Sequence, residues 1–221
     1  LQNKSDLQKA YRLANEALSL VCQVSGPAHR NAVSCCLLIA NVMQSAGDMA
    51  HAIQHQKRAL ALLAVLGEHD TAMVAQCYGS LATLFQADGD FDLAVRCARR
   101  AVFLFELMCG PRNAEAAFLY QRMATSFASA GDYSRSFDAI QEAVRCCGRN
   151  HLQQARFLRA AAHILSGTSN YRASFQCEKS AYSILKQILG PTDPRTQECF
   201  KAVERYTRLS VEQMRQEGES D

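Results

Sequence analysis

The sequence predicts an all-α fold, an α-solenoid of helix hairpins with repeats of about 42 residues, and three observations predict it. The first is a turn mark: Gly47-Asp48-Met49, Gly89-Asp90-Phe91 and Gly131-Asp132-Tyr133 stand 42 residues apart, and Ser169-Asn170-Tyr171 follows after 38. The second is a set of small residues in step with those marks. Ala40, Ala82, Ala124 and Ala162 precede each mark by seven; Ala52, Ala94, Ser136 and Ser174 follow those alanines by twelve; Ala59, Ala101, Ala143 and Ala181 come seven later. The third is apolar spacing by three and four between marks, as in Val33, Cys36, Leu37, Ala40 and Met43, which is one face of a helix.

Each element follows from this frame. Half a repeat, residues 5–24, opens the chain with Ala10 and Ala17 in phase, and Ser5 with Gln8 has the pattern of a capping box. Four full repeats cover 27–66, 68–109, 111–147 and 149–189. Within a repeat, the glycine of the mark accepts a left-handed backbone that ends one helix, and the aspartate caps the next. Between repeats the chain turns at Gly26-Pro27, Gly67-Glu68, Gly110-Pro111, Gly148-Arg149 and Gly190-Pro191, where proline cannot continue a helix. The interval from Gly110 to Gly148 is 38, so the helix before Gly148 is expected to be one turn short. A capping helix at 194–216 with a charged outer face (Lys201, Glu204, Arg205, Arg208, Glu212, Arg215) and a disordered acidic tail at 217–221 close the reading. Small residues at fixed positions let paired helices approach closely, and stacking the next hairpin covers the apolar face that each leaves bare.

Composition narrows the function. With 221 residues, 48 % hydrophobic and 20 % charged, the chain can bury a core. Its longest apolar run, Ala59 to Leu66, is too short to span a bilayer. The first residues lack the basic, apolar and small-residue succession of a secretory leader, and a start at Leu1 suggests a piece of a longer protein. A net charge of +3 does not demand nucleic acid as partner. Ten cysteines without any Cys-x-x-Cys spacing fit neither a zinc site nor a disulfide scaffold, and read as small buried hydrophobes in a reducing compartment.

No phosphate loop, dinucleotide fingerprint, serine elbow or His-Glu-x-x-His motif is present, so the expectation is no enzyme, no cofactor and no metal. His51 and His55 share a helical face beside Asp48, but the aspartate is better explained as a helix cap. From Ala143 to Cys177 there is no acidic residue, while Arg145, Arg149, Arg156, Arg159 and Arg172 fall inside; Arg156, Arg159 and His163 lie on one helical face. Such forks suit RNA phosphates or an acidic peptide; the competing reading is an ordinary solvated arginine face, or ion pairs to Glu198 or Glu204. A second basic group, Arg96, Arg99 and Arg100, reads as a solvated outer face.

Helix hairpins with small residues at these offsets resemble tetratricopeptide repeats, lengthened by about one turn in each helix. The stretches Arg100 to Pro111 (RAVFLFELMCGP), Glu142 to Cys146 (EAVRC), His151 to Ala155 (HLQQA) and Leu189 to Gln197 (LGPTDPRTQ) resemble the clustered-mitochondria (CLU) family. Kinesin light chains resemble it as well, but the segments Cys36 to Ala40 (CLLIA) and Tyr78 to Ala82 (YGSLA) lack the paired asparagines those proteins carry. The resemblance implies a helix-hairpin superhelix in a cytoplasmic protein of mitochondrial distribution, associated with messenger RNAs for mitochondrial proteins. The alternative is a cargo-peptide adaptor like a kinesin light chain. The resemblance also implies that the first helix of each repeat lines a groove for a protein segment. The candidate lining is Ser34, Asn41 and Gln44; Gln76, Thr83 and Gln86; Gln121 and Thr125; and Arg156, Arg159 and His163, the last three being also the candidate RNA contact.

Overall fold

The computed structural model describes residues 2–69, 72–111 and 113–218, with side chains from Asp6 to Arg215. Ten helices and no strand occur among the described residues: α1 (Gln2–Ser25), α2 (Arg30–Ser45), α3 (Met49–Val65), α4 (Ala72–Asp88), α5 (Phe91–Cys109), α6 (Ala114–Ser129), α7 (Tyr133–Cys146), α8 (His151–Gly167), α9 (Tyr171–Leu189) and α10 (Pro194–Gly218). The chain forms two compact units, residues 1–108 and 109–221. In the first, α1 packs on α2, α2 on α3 and α3 on α4; in the second, α6 packs on α7 and each following helix on the next, to α10.

The turn marks are two-ended devices. At the first, Gly47 adopts φ +83°, and the amide of Asp48 donates back to the Met43 carbonyl at 2.9 Å, closing α2. The Asp48 carboxylate then accepts from the His51 amide at 3.2 Å and opens α3. Asp90 repeats this with Phe85 behind and Leu93 ahead, and Asp132 with Phe127 and Arg135. Asn170 replaces the aspartate at the fourth mark and accepts from Ala173 at 3.2 Å, while Ser169 takes the left-handed position at φ +58°. One residue therefore terminates a helix and starts the next, leaving a hairpin joint little freedom.

The twelve small residues that keep step with the marks are all at most 2 % exposed, from Ala40 and Ala52 in the first full hairpin to Ser174 and Ala181 in the last. Around them, Ile53, Leu81, Leu84 and Phe85 form a core cluster in the first unit, and Leu185 and Cys199 join Ala155 and Ala181 in the second. The short helix lies where the 38-residue interval places it: α7 has 14 residues against 19 in α9.

Three expectations need adjustment. Helix α1 begins at Gln2 rather than Ser5, so Ser5 is inside the helix, and its side chain lies outside the described residues. Helix α10 continues to Gly218, because no proline or glycine interrupts it earlier; of the tail, residues 219–221 lie outside the described residues. Cys109 is exposed at the end of α5, unlike buried Cys35, Cys36, Cys77, Cys146 and Cys199. Burial pushes the Cys77 thiol up to about 11, and Cys199 rises to about 12 with the Glu178 charge assisting burial.

Candidate functional site

The predicted lining residues sit on first helices of the hairpins, and none is buried. On α2, Ser34 and Asn41 are exposed and Gln44 half-buried; on α4, Gln76 is exposed and Thr83 and Gln86 half-buried. On α6, Gln121 is half-buried and Thr125 exposed; on α8, Arg156 and His163 are exposed and Arg159 half-buried. Two of these hydroxyls bond within their own helices, Thr83 to the Gly79 carbonyl at 3.1 Å and Thr125 to the Arg122 carbonyl at 2.8 Å. Such a bond leaves the hydroxyl oxygen able to accept from a partner.

In the second unit the structure brings Thr125, Arg159 and His163 together around a cavity of about 520 Å³. Helices α6, α8, α9 and α10 all contribute to its wall. Arg156 does not line it; its guanidinium bonds Gln153 at 3.4 Å one turn back along α8.

The basic window is less free than its composition suggests. Arg145 pairs with Glu142, immediately before the acid-free stretch. The Arg159 Nε donates to Glu178, immediately after it, at 3.0 Å, and its Nη1 lies 3.9 Å from Glu198. Glu178 is only 2 % exposed, so Arg159 is the counter-ion of a buried carboxylate before it is a ligand for anything else. Of Glu198 and Glu204, Glu198 takes part; the dominant partner is Glu178, 19 residues on in the second helix of the hairpin, where helix spacing alone does not point. Arg99 and Arg100 are exposed on α5, and Arg100 stacks 5.4 Å from the Phe103 ring centroid.

The charged terminal helix α10 also supplies Arg205 and Tyr206 to the cavity wall. Tyr206 is 3 % exposed, and the Arg205 guanidinium lies 4.8 Å from its ring centroid while an Nη donates to its hydroxyl at 3.0 Å. Their apolar and charged positions along the terminal helix carry the signal, since Thr196, Cys199 and Tyr206 form the buried stripe that faces inward.

Asp48 serves as the cap of α3, with its second oxygen 2.7 Å from the His51 ring nitrogen. Among the described residues no group of three or more His, Cys, Asp or Glu is placed to hold a metal ion, and no helix is long and apolar enough to cross a membrane.

This fold is that of tetratricopeptide-type helix hairpins, and residues 33–107 match the tetratricopeptide repeat family. Among solved structures, BtubC (BKLC) from P. vanneervenii superposes with a TM-score of 0.75 at 20 % identity, over 86 % of this chain and 77 % of that one. The kinesin light chain nearly identical TPR-like repeats of Podosopora anserina reach 0.73 at 13 % identity, over 84 % and 90 %. At these identities the likeness concerns the fold alone. In sequence, the Arabidopsis thaliana Clustered mitochondria protein is 43 % identical over 56 residues, 25 % of this chain. The match spans 4 % of that protein's length.

Proposed function

We propose that this chain is the non-catalytic interaction module of a CLU-like protein, and that it works by holding a segment of another protein against the first-helix faces of its hairpins. The observation that carries the reading is a division of labour along each hairpin. Crossing positions are small and buried, whereas Ser34, Asn41, Gln76, Thr125 and the other lining residues stay within reach of solvent and are mostly uncharged hydrogen-bonding groups. Such side chains pair with the backbone of an extended peptide whatever its sequence. The marks also keep their 42-residue step from Gly89 to Gly131, across the division between the two units, which supports reading the chain as one run of repeats.

The 56-residue likeness supports the CLU-type role: mitochondrial distribution, a cytoplasmic location and association with messenger RNAs for mitochondrial proteins. Arg156 and His163 are the candidate RNA contacts, because Arg159 is already engaged by Glu178. The kinesin-light-chain-like adaptor remains the alternative reading. The test is a cell in which the parent protein lacks this module. Clustering of mitochondria around the nucleus supports the proposal; a normal network with the parent protein present at its usual level contradicts it.

A further inference from the structure

We propose that the cavity among α6, α8, α9 and α10 is a receptor for a single carboxylate side chain of an acidic peptide segment, and that Arg205 is the residue that takes it. The inference rests on the reading of this chain as a peptide-holding module and names the chemistry of one subsite.

The cavity holds two guanidinium groups with different duties. Arg159 is tied to the buried Glu178 at 3.0 Å and so contributes little net charge. Arg205 interacts with Tyr206 through its hydroxyl and its ring face, and both partners are neutral. Among the described residues no carboxylate pairs with Arg205; Glu178, which also lines the cavity, is bonded to Arg159, so the wall carries one positive charge in excess. Stacking on a fixed, buried ring holds the fork in one orientation, which lowers the entropy lost when an anion docks.

The rest of the wall sets what the anion is attached to. His163 faces the cavity from α8, and Ile164, Ala160 and Ala202 give it apolar surface. The Glu178 carboxylate in the same wall, answered by Arg159, leaves room for one further anion at Arg205 only. A planar carboxylate on a short aliphatic stem matches that combination, with the fork taking both oxygens. A nucleic acid strand fits poorly. It would need several uncompensated cations in a row, whereas Glu178 and Glu198 sit beside Arg159 and would repel successive phosphates.

The experiment uses the 221-residue chain and three fluorescein-labelled probes: a short peptide alternating glutamate with leucine and phenylalanine, its glutamine-for-glutamate twin, and an oligouridine. Binding is followed by fluorescence anisotropy, with thermal melting as a check that each variant is folded. The acidic peptide should bind at least about tenfold more tightly than its twin, in line with one charge-assisted contact. Arg205→Ala should remove that difference, Arg205→Lys should keep part of it, and neither should alter the melting temperature much. Equal binding of the two peptides, or an Arg205→Ala variant that still prefers the acidic one, overturns the subsite. In that case binding of both peptides weakened by Gln86→Ala or Gln121→Ala leaves the wider peptide-holding reading standing. Oligouridine binding that depends on Arg205 and outcompetes the acidic peptide also overturns it, in favour of phosphate. If no peptide binds at all, the subsite falls together with the reading it rests on.

Discussion

The Ser136 hydroxyl donates a 2.6 Å hydrogen bond to the Ala124 carbonyl, so two small residues twelve positions apart in the repeat meet where α7 crosses α6. The same positions hold Ala82 and Ala94 one repeat earlier, both buried, and an alanine there has no hydroxyl to make the bond. Small size is thus the requirement of the crossing, and the hydroxyl is an addition to it.

Ser136→Ala therefore removes one buried hydrogen bond without opening much space. The expected loss is about 1 kcal/mol, since the Ala124 carbonyl keeps its place in its own helix. Ser136→Leu forces the axes apart and costs about 1–3 kcal/mol or more. Denaturant midpoints of the two variants, compared at unchanged slope, check the order.

The fourth turn mark is strained where the other three are not. Ser169 sits at φ +58°, the position glycine holds at Gly47, Gly89 and Gly131. Ser169→Gly should stabilise the chain by about 0.5–1 kcal/mol, the relief of a left-handed backbone less the extra freedom glycine gives the unfolded chain. Gly131→Ala should destabilise by about 1–2 kcal/mol through the backbone alone, because a methyl there meets nothing within 4 Å. Melting curves that move in opposite directions for these two changes meet the expectation.

The helix caps give stability a defined acid limb. Asp132 is held below the usual carboxylate range by the Arg135 amide and then by its side chain; Asp48 is held down in the same way by His51. Asp193 is lowered chiefly by the Arg195 side chain. A carboxyl lowered in the folded state adds stability above its unfolded value, about pH 4, and loses it as pH falls through the folded value. The module should therefore melt at progressively lower temperature below about pH 4. Asp132→Asn keeps a capping oxygen but no longer titrates, so its melting temperature should fall less steeply with acid than that of the wild type.

Arg159 is expected to behave as a structural residue. Arg159→Met leaves the Glu178 carboxylate buried without its counter-ion, at a cost of about 3 kcal/mol, the low end for such pairs because the arginine itself is partly open to water. Adding Glu178→Gln should restore part of that loss, and a double-mutant cycle in urea measures how much. It follows that an RNA-binding test on Arg159 mixes folding with recognition; Arg156, which has no carboxylate partner among the described residues, is the informative position.

The fold was legible because its determinants are local and repeated. Gly131 and Asp132 act within one turn of the chain, and Ala124, Ser136 and Ala143 recur at offsets that only a regular crossing explains. The site was legible in part. Arg159 and His163, four apart, share one face of α8, and Thr125 on α6 lines the same cavity. Its electrostatics were not legible, because the pairing of Arg159 with Glu178 depends on how α9 lies against α8. The same holds for Arg205: it is exposed, as the charged residues around it lead one to expect, and it also lines the cavity beside the buried Tyr206, which the sequence does not reveal.

The most direct test of a module that grips a partner without transforming it is chemical-shift mapping on the assigned amide spectrum during titration with the acidic peptide. Perturbed amides should gather on α2, α4, α6 and α8 around Asn41, Thr83, Thr125 and His163, together with Arg205, while the peptide stays chemically unchanged. Perturbations confined to the second helices α3, α5, α7 and α9, or a peptide cleaved or modified during the titration, would contradict the account.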